Sequence, residues 1–598
     1  MNNAAEVNKR VESLQAFMVR NNIHACVVFT ADPHMSEYVP EHWHLREWLS
    51  GFTGSAATLV ITQDQACLWT DSRYWEQASA QLNNTVYQLM QHGMSGVPDP
   101  QRWALSMLQS GQNVWADAST MSMQAHSIWI SCLSEHGINL VTEPDITNAI
   151  WKNRPGLPQN HIYVHEKPFA CRSVSENLQS IRNEMTNNKC QWHVMSSLDD
   201  IAWTFNLRGS DVSYNPVFLS YAVISHTDAW LFVDSVKLNS SVNSYLRNEG
   251  IRVKAYSQIN EFLSNIPIGN TILYDPSRTS LALFNSINHL EKIPCINPSQ
   301  LIKAQKNNHE ISNIRATMEY DGVALCEFFS WLESELSDGS RTITELTIDE
   351  EITNARARQP NFVSPSFSTI AGFNANGAMP HYQATPENHS VITGNGLLLI
   401  DSGGQYLGGT TDITRVVPIG NISDQQRTDY TLVLKGMIAL SMARFPKGTK
   451  GASLDSIARM PLWQHGLDYG HGTGHGVGYF MNVHEGPQSI SPRQQVGDQY
   501  QFKSGMVTSN EPGLYRPDKW GIRIENLVLA KPVEQDNTFL EFETLTLCPI
   551  DTRCINKNML SYEEIKWLNS YHDQTKSRLA PLLSGRAYDW LLKRTAHI

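Results

Sequence analysis

The chain has 598 residues, 41% of them apolar and 17% charged, an ordinary globular composition with material for three or four domains and for a deep site closed to water. A net charge of −12 at pH 7, a pI near 6.0 and the lack of any Lys/Arg cluster exclude a protein whose main task is gripping a phosphate backbone. No apolar run approaches membrane-spanning length, Met1 to Glu6 does not start a basic-then-apolar leader, and nine scattered cysteines without a C-x-x-C spacing read as reduced and mostly buried thiols, so the expected address is the cytoplasm, with no nucleic-acid and no membrane partner.

The first predicted element is a helix in which Val7, Val11, Leu14 and Met18 share one face through steps of three and four residues. That face is expected to pack on a sheet holding the apolar run from Ala25 to Thr30 and a hairpin, Thr58 to Thr62 with Cys67 to Thr70, turned by Gln63-Asp64-Gln65. The same grammar returns at Trp192 to Ser196, Ala222 to Ser225 and Trp230 to Val233. Ala66-Cys67-Leu68-Trp69-Thr70-Asp71-Ser72 also reads like Ala229-Trp230-Leu231-Phe232-Val233-Asp234-Ser235. These echoes imply a duplicated α/β domain with a joint near Arg154-Pro155-Gly156-Leu157-Pro158. A third region opens with a long helix carrying Ile311, Ile314, Met318, Leu325, Phe328 and Leu332 at helical spacing. It then becomes richer in glycine loops and short strands, and closes on a helix announced by the Ser561-x-x-Glu564 capping box.

The chemistry concentrates in that third region. Leu397-Leu398-Leu399-Ile400 reads as a buried strand ending on Asp401, and a Ser-Gly-Gly turn leads to a second strand around Thr410 to Arg415 that contains Asp412, so the two carboxylates are expected to face each other across a hairpin. Alone, each would be read as a turn-capping acid. Next comes His471-Gly472-Thr473-Gly474-His475-Gly476-Val477-Gly478, followed by His484-Glu485-Gly486-Pro487. Four glycines in eight residues exclude a helix, so these histidines sit on irregular or extended backbone, where glycine permits unusual dihedrals or close approach. The spacing does not fit a dinucleotide fingerprint, since Val477 and Tyr479 fall where the third glycine would be required. Glu511 follows Met506-Val507-Thr508-Ser509-Asn510, and Glu525 lies in Gly521-Ile522-Arg523-Ile524-Glu525-Asn526, where alternation sends Ile522 and Ile524 to one face and Arg523 with Glu525 to the other. A surface ion pair is the plain reading of Arg523 and Glu525, but the following Leu527-Val528-Leu529-Ala530 run looks like the middle of a core. Four carboxylates gathered in a core repel one another and take up protons unless divalent cations intervene. Four oxygen ligands and one imidazole suit Mn, Co or Zn, held as a pair roughly 3.5 to 4 Å apart.

The string Asp401, Asp412 eleven residues on, Gly474-His475-Gly476, Glu511-Pro512-Gly513 and Glu525-Asn526 resembles the pita-bread metallopeptidases. Within them, the stretch from His471 to Gly478, Asn482-Val483-His484-Glu485-Gly486-Pro487, Gly51-Phe52-Thr53-Gly54-Ser55-Ala56 and Phe205-Asn206-Leu207-Arg208-Gly209-Ser210-Asp211 look like the three-domain Xaa-Pro aminopeptidases. The resemblance implies an α/β (α+β) chain: two ribonuclease-H-like, creatinase-type domains, 1–157 and 158–301, then a pita-bread catalytic domain, 302–598. It implies that Asp401, Asp412 and Glu525 hold one metal, while Asp412, His475, Glu511 and Glu525 hold the other. It assigns His381 and His484 to substrate, His471 and Arg523 to support of the ligands, Arg73 to peptide binding and Trp463 to the entrance. The expected reaction is hydrolysis of the bond between the first residue and a proline in second position. A hydroxide bridging two divalent metals, Mn in first place, attacks, and Glu511 takes its proton. A homodimer is expected. The rival readings are a prolidase-type dipeptidase, a pita-bread binding protein without catalysis and a metal-free creatinase-like hydrolase; the last two predict missing ligand residues, and all five are present.

Overall fold

The computed structural model describes residues 4–598, so Met1-Asn2-Asn3 of the leader argument lies outside it. The chain divides into two compact units, one running to Glu166 and resuming over Arg172–Ile302, the other made of Lys167–Cys171 and Lys303–Ile598.

In the first unit, the opening helix spans Ala4–Arg20 and buries Val7, Val11, Leu14 and Met18. They pack with Cys26, Val28, Leu59, Ile61 and Leu68, as the helical spacing requires. The sheet beneath has six strands in the order Tyr87–Gln91, Ala66–Thr70, Thr58–Thr62, Ala25–Phe29, Asn113–Ala116, Asn139–Val141. The three strands from Ala25 to Thr70 pair antiparallel, and the remaining three join in parallel. Both faces are covered: Cys26 and Val28 enter the core under the first helix, while Ala25 and Val27 enter a second core with Val60, Trp69, Trp103 and Trp129. A strand buried on both faces reads as an unbroken apolar run, which is why Ala25 to Phe29 shows no polar alternation.

A second six-stranded sheet repeats this plan strand for strand: Ile251–Lys254, Ala229–Phe232, Tyr221–Ser225, Trp192–Met195, Thr271–Tyr274, Glu291–Pro294. Its two hairpin contacts are antiparallel and its three outer contacts parallel, as in the first. Backbone bonds join the two sheets' surroundings, from Met123 N to Thr279 O (2.9 Å) and from Leu281 N to Met121 O (2.8 Å).

The second unit is built around the helix Asn308–Asp338, opened by a capping box between Asn307 and Glu310 and stopped by Gly339 in the left-handed conformation. Ile314, Met318, Leu325, Phe328 and Leu332 are buried on it, and Ile311 packs against the core edge. Three strands, Ile370–Phe373, Gly396–Ser402 and Ile413–Ile419, form one sheet; Arg444–Pro446, Asp536–Thr544, Asn526–Val533 and Val507–Asn510 form another. The helix Tyr562–Leu579 carries the Ser561/Glu564 box on both arms, and a further helix, Gly585–Arg594, follows it at the end of the chain. Lys167–Cys171 belongs here through contacts far away in sequence: the Tyr479 hydroxyl donates to Phe169 O (2.9 Å), and Asn313 Nδ2 reaches Pro168 O (3.4 Å). No helix among the described residues is long and apolar enough to cross a membrane.

The expected Asp401–Asp412 hairpin is more elaborate than read. The strand from Gly396 to Ser402 does pair antiparallel with Ile413–Ile419, but Gly404–Tyr406 and Gly409–Thr410 intervene and build a separate small sheet with Phe362–Pro365. Asp412 therefore precedes its strand. Likewise Ile524 and Glu525 fall between the strands Trp520–Arg523 and Asn526–Val533, yet Ile522 and Ile524 share one apolar core as alternation required.

Candidate metal centre

Two sheet ends deliver the acids to one place. Asp401 lies opposite Thr414 in the antiparallel register, and Asp412 stands two residues ahead of Thr414. In the neighbouring sheet the ladder of Val507–Asn510 with Asn526–Val533 ends at the pair Asn510 and Asn526, so Glu511 and Glu525 leave from the same edge. The two edges are tied where Glu525 N donates to Thr414 O (3.1 Å) and the Thr414 hydroxyl donates to Glu525 Oε2 (2.8 Å).

His475 arrives on a two-residue strand, Gly474–His475, paired with Ser489–Ile490. Its N–H donates to Ser509 Oγ (2.9 Å), and Ser509 Oγ donates in turn to Glu511 Oε1 (3.0 Å). The flanking glycines are needed for close approach and not for dihedrals, since neither has a positive φ. A Cβ on Gly474 would lie 1.9 Å from Ser509 O, and one on Gly476 would lie 2.0 Å from Glu485 O. The ring's Nδ1 faces Gly476 O (3.0 Å), which makes it the protonated nitrogen and turns Nε2 toward Asp412 Oδ2 and Glu511 Oε1, each at 3.4 Å. One ligand atom each from Asp412, His475 and Glu525 lies within 4.8 Å of the other two.

Arg523 closes the far side. Its Nη2 meets Asp401 Oδ2 at 2.5 Å, its Nε lies 3.1 Å from the same oxygen and 4.0 Å from Glu511 Oε2, and its Nη1 donates to the Tyr515 hydroxyl (2.7 Å). Arg523 is 2% exposed, which rules out the surface ion pair. Tyr515 passes the contact on to His471 Nε2 (2.8 Å), while His471 Nδ1 faces Gly472 O (2.8 Å). With Nδ1 protonated and Arg523 already donating to Tyr515, the phenol's own proton points at His471.

Electrostatics shows how much strain the acids carry. Burial, followed by the charges of Asp412, Glu511 and Asp401, raises Glu525 well above the usual carboxylate range. Burial raises Asp401 against the pull of Arg523, and raises Glu511 to about 7 against the pull of His475. Burial alone would lower His475, but Asp412 and Glu511 outweigh it and lift the imidazolium to about 9. Asp401 Oδ1 and Glu525 Oε1 are buried without a hydrogen-bond partner. Buried polar atoms are normally satisfied, and a pair of orphaned carboxylate oxygens beside a histidine whose Nε2 faces two acids fits a divalent cation that displaces the protons. The donor set, oxygen and imidazole without thiolate, suits hard to borderline metals.

The structure thus brings together Asp401, Asp412, His475, Glu511, Glu525, Arg523 and His471. His484 joins them, its ring standing edge-on to His475 with centroids 4.3 Å apart. Its neighbour Glu485 is buried between Lys303 (2.9 Å) and Lys306 (2.8 Å), which fixes the turn. His381 follows Pro380, whose carbonyl accepts from Arg523 Nη2 (3.3 Å). Tyr382 on the other side donates to the fully buried Glu345 (2.8 Å). Trp463 ends the helix Gly451–Trp463, half exposed and without a ring or hydrogen-bond contact to the cluster. Arg73 lies in the first unit, where it grips Asp71 with two bonds, at 2.7 and 2.8 Å.

Thr414, Ser509 and Tyr515 escaped sequence reasoning. The first two carried a usable signal, because each stands two positions from a candidate ligand in extended chain, the period that puts side chains on one face. Tyr515 depends on the pairing of Gly513–Arg516 with Trp520–Arg523, which no local pattern announces.

Residues 312–532 match metallopeptidase family M24, and 538–598 match the C-terminal region of peptidase M24. Residues 10–134 and 153–310 match creatinase/prolidase N-terminal domains. Over 98% of its length the chain is 39% identical to Xaa-Pro aminopeptidase 1 of Dictyostelium discoideum, covering 96% of that protein. It is 38% identical over 96% of its length to aminopeptidase P2 of Arabidopsis thaliana, covering 86% of it. Among solved structures, the X-prolyl aminopeptidase of Caenorhabditis elegans, described as a cytosolic enzyme with a di-nuclear active site, matches over 100% of both chains with a TM-score of 0.94 and 32% identity. The chain belongs to metallopeptidase family M24, in its branch with two creatinase-type domains ahead of the pita-bread domain.

Proposed function

We propose that this chain is an aminopeptidase that removes the first residue of peptides with proline second, with two divalent metals bound by Asp401, Asp412, His475, Glu511 and Glu525. The observation that carries the reading is the buried four-acid cluster around His475, two of whose carboxylate oxygens have no partner. The shared division of ligands is Asp401, Asp412 and Glu525 for one ion and Asp412, His475, Glu511 and Glu525 for the other, with Mn in first place. When bound, such ions supply an activated water and polarise the scissile carbonyl.

The chain's own residues do the rest. In this reading Glu511 accepts a proton from the attacking water and returns it to the leaving proline nitrogen. His484, edge-on to His475, and His381 donate hydrogen bonds to the reacting carbonyl and the substrate backbone. Arg523 keeps Asp401 in place, and Tyr515 with His471 keeps Arg523 in place. A bond before proline lacks an N–H and carries a restricted ring, so a pocket that does not read that N–H accepts what most peptidases reject. Arg73 is assigned to peptide binding and Trp463 to the entrance, as the family resemblance implies. The same reading takes 1–157, 158–301 and 302–598 as the domains, a homodimer as the assembly and the cytoplasm as the compartment; the last is supported by the cytosolic Caenorhabditis elegans relative.

The test is release of the first residue from an Ala-Pro-Ala peptide, an Ala-Ala-Ala peptide and an Ala-Pro dipeptide, with Mn added and after chelation. Cleavage of the first peptide alone, lost on chelation, is expected. Cleavage confined to the dipeptide would move the assignment to a prolidase, and turnover that survives complete metal removal would end the metal reading.

A further inference from the structure

Arg415 is buried to 2% exposure, yet every group it bonds is uncharged. Its Nη1 donates to Thr414 O (3.0 Å) and Glu525 O (2.6 Å). Its Nη2 donates to Asn526 Oδ1 (2.8 Å), Cys548 O (2.8 Å) and the Tyr571 hydroxyl (3.0 Å), and its Nε donates to Pro549 O (3.2 Å). Asp551 lines the same small cavity but is engaged by Arg553, with contacts of 2.9 and 3.1 Å from Nε. A guanidinium buried without a carboxylate is an expensive arrangement, and this one spends its donors on carbonyls, two of which belong to the residues that join the sheet edges at the acid cluster.

We propose that Arg415 is the positioning residue of the metal centre, a clamp that fixes Thr414 and Glu525 against each other so that the Glu525 carboxylate is preorganised for divalent metal. The inference rests on the metal reading given above. The geometry runs through one bond on each side: Arg415 Nη1 holds both backbone carbonyls, Glu525 N returns a bond to Thr414 O, and the Thr414 hydroxyl fixes Glu525 Oε2. Five donors in a rigid planar fork can serve that many carbonyls at once, whereas an ammonium has three donors on a point charge. Charge and clamping oppose each other here, because a buried cation repels a metal ion while a fixed carboxylate attracts it. Arg415→Lys keeps the charge and removes the fork, so it isolates the clamp.

The experiment is titration of the full-length metal-free protein with Mn2+ and Co2+ against a chelating dye, for the wild type, Arg415→Lys and Tyr571→Phe, with far-UV circular dichroism and thermal melting of each metal-free protein. Arg415→Lys is expected to fold and to bind metal about 10- to 100-fold more weakly, the range found for residues that orient metal ligands. At saturating metal, its KM for an Xaa-Pro peptide stays at the wild-type value. Tyr571→Phe, which loosens the fork from the side away from the acids, is expected to weaken metal binding by a smaller factor. Wild-type metal affinity in a folded Arg415→Lys protein overturns the proposal. If that variant does not fold, unchanged affinity in Tyr571→Phe overturns it instead. A wild type that holds no divalent metal would defeat the functional reading, which is a different outcome.

Discussion

Single residues at the candidate centre make sharply different predictions according to what they touch. Asp412 faces His475 and sits among the other acids, so Asp412→Asn removes a charge without changing shape. It is expected to lose bound metal and to lower kcat/KM by more than about 100-fold, beyond the usual cost of an outer partner; metal content by atomic absorption beside peptide kinetics checks both. Arg523→Lys keeps a positive charge near Asp401 but cannot hold Asp401 and the Tyr515 hydroxyl together. A smaller drop, about 10- to 100-fold in kcat/KM, is expected. At this scale the sequence was legible where a residue type is rarely buried for any other purpose: four acids at or beside strand ends and a histidine between two glycines. It was not legible for Thr414 and Ser509, whose hydroxyls are common in strands, nor for Tyr515, whose place is decided by a partner strand.

Secondary-structure elements were readable in proportion to how local their determinants are. The helix Ala4–Arg20 and the helix Asn308–Asp338 declare themselves through spacing that involves no other part of the chain. The Ser561/Glu564 box is equally local, and Ser561→Ala should destabilise the protein by about 1 kcal/mol in a denaturant titration, with no change in metal binding. The connection from Asp401 to Asp412 was not readable, because Gly404–Tyr406 pairs with Phe362–Pro365, some forty residues upstream in the chain. Glycine-rich stretches announce that something comes close without saying what. For Gly474 it is the carbonyl of Ser509 at 1.9 Å from a would-be Cβ. Gly474→Ala must push apart the strand that carries His475 and the one that leads to Glu511. A loss of about 1–3 kcal/mol in stability is expected, together with weakened metal binding, measured by thermal melting and dye competition.

Across the whole molecule, stability should respond to acid through buried histidines that are not among the candidate ligands. Burial lowers His193 and His572 to about 4, and both are fully enclosed. Below their ordinary value of 6.5 the unfolded chain binds protons that the folded chain refuses, so folding stability falls as pH drops from about 6.5 toward 4, by an amount on the order of 3 kcal/mol for each group. The slope of urea midpoint against pH should become shallower in His193→Asn. Metal acts in the other direction: at a concentration 100-fold above its dissociation constant it adds about 2.7 kcal/mol, so chelation should lower the melting temperature measurably.

The pairing of Lys167–Cys171 with the second unit has a practical corollary for dissection of the protein. The polypeptide visits that unit twice, so no single cut releases it intact. A fragment beginning at Lys303 would leave Tyr479 without the Phe169 carbonyl, Asn313 without Pro168 and an apolar margin without Cys171. Anyone seeking the peptidase half as an independent piece would need to graft those five residues back, or move the chain ends by circular permutation. A tag or protease site placed between Glu166 and Arg172 would disturb the half that lies more than a hundred residues further on.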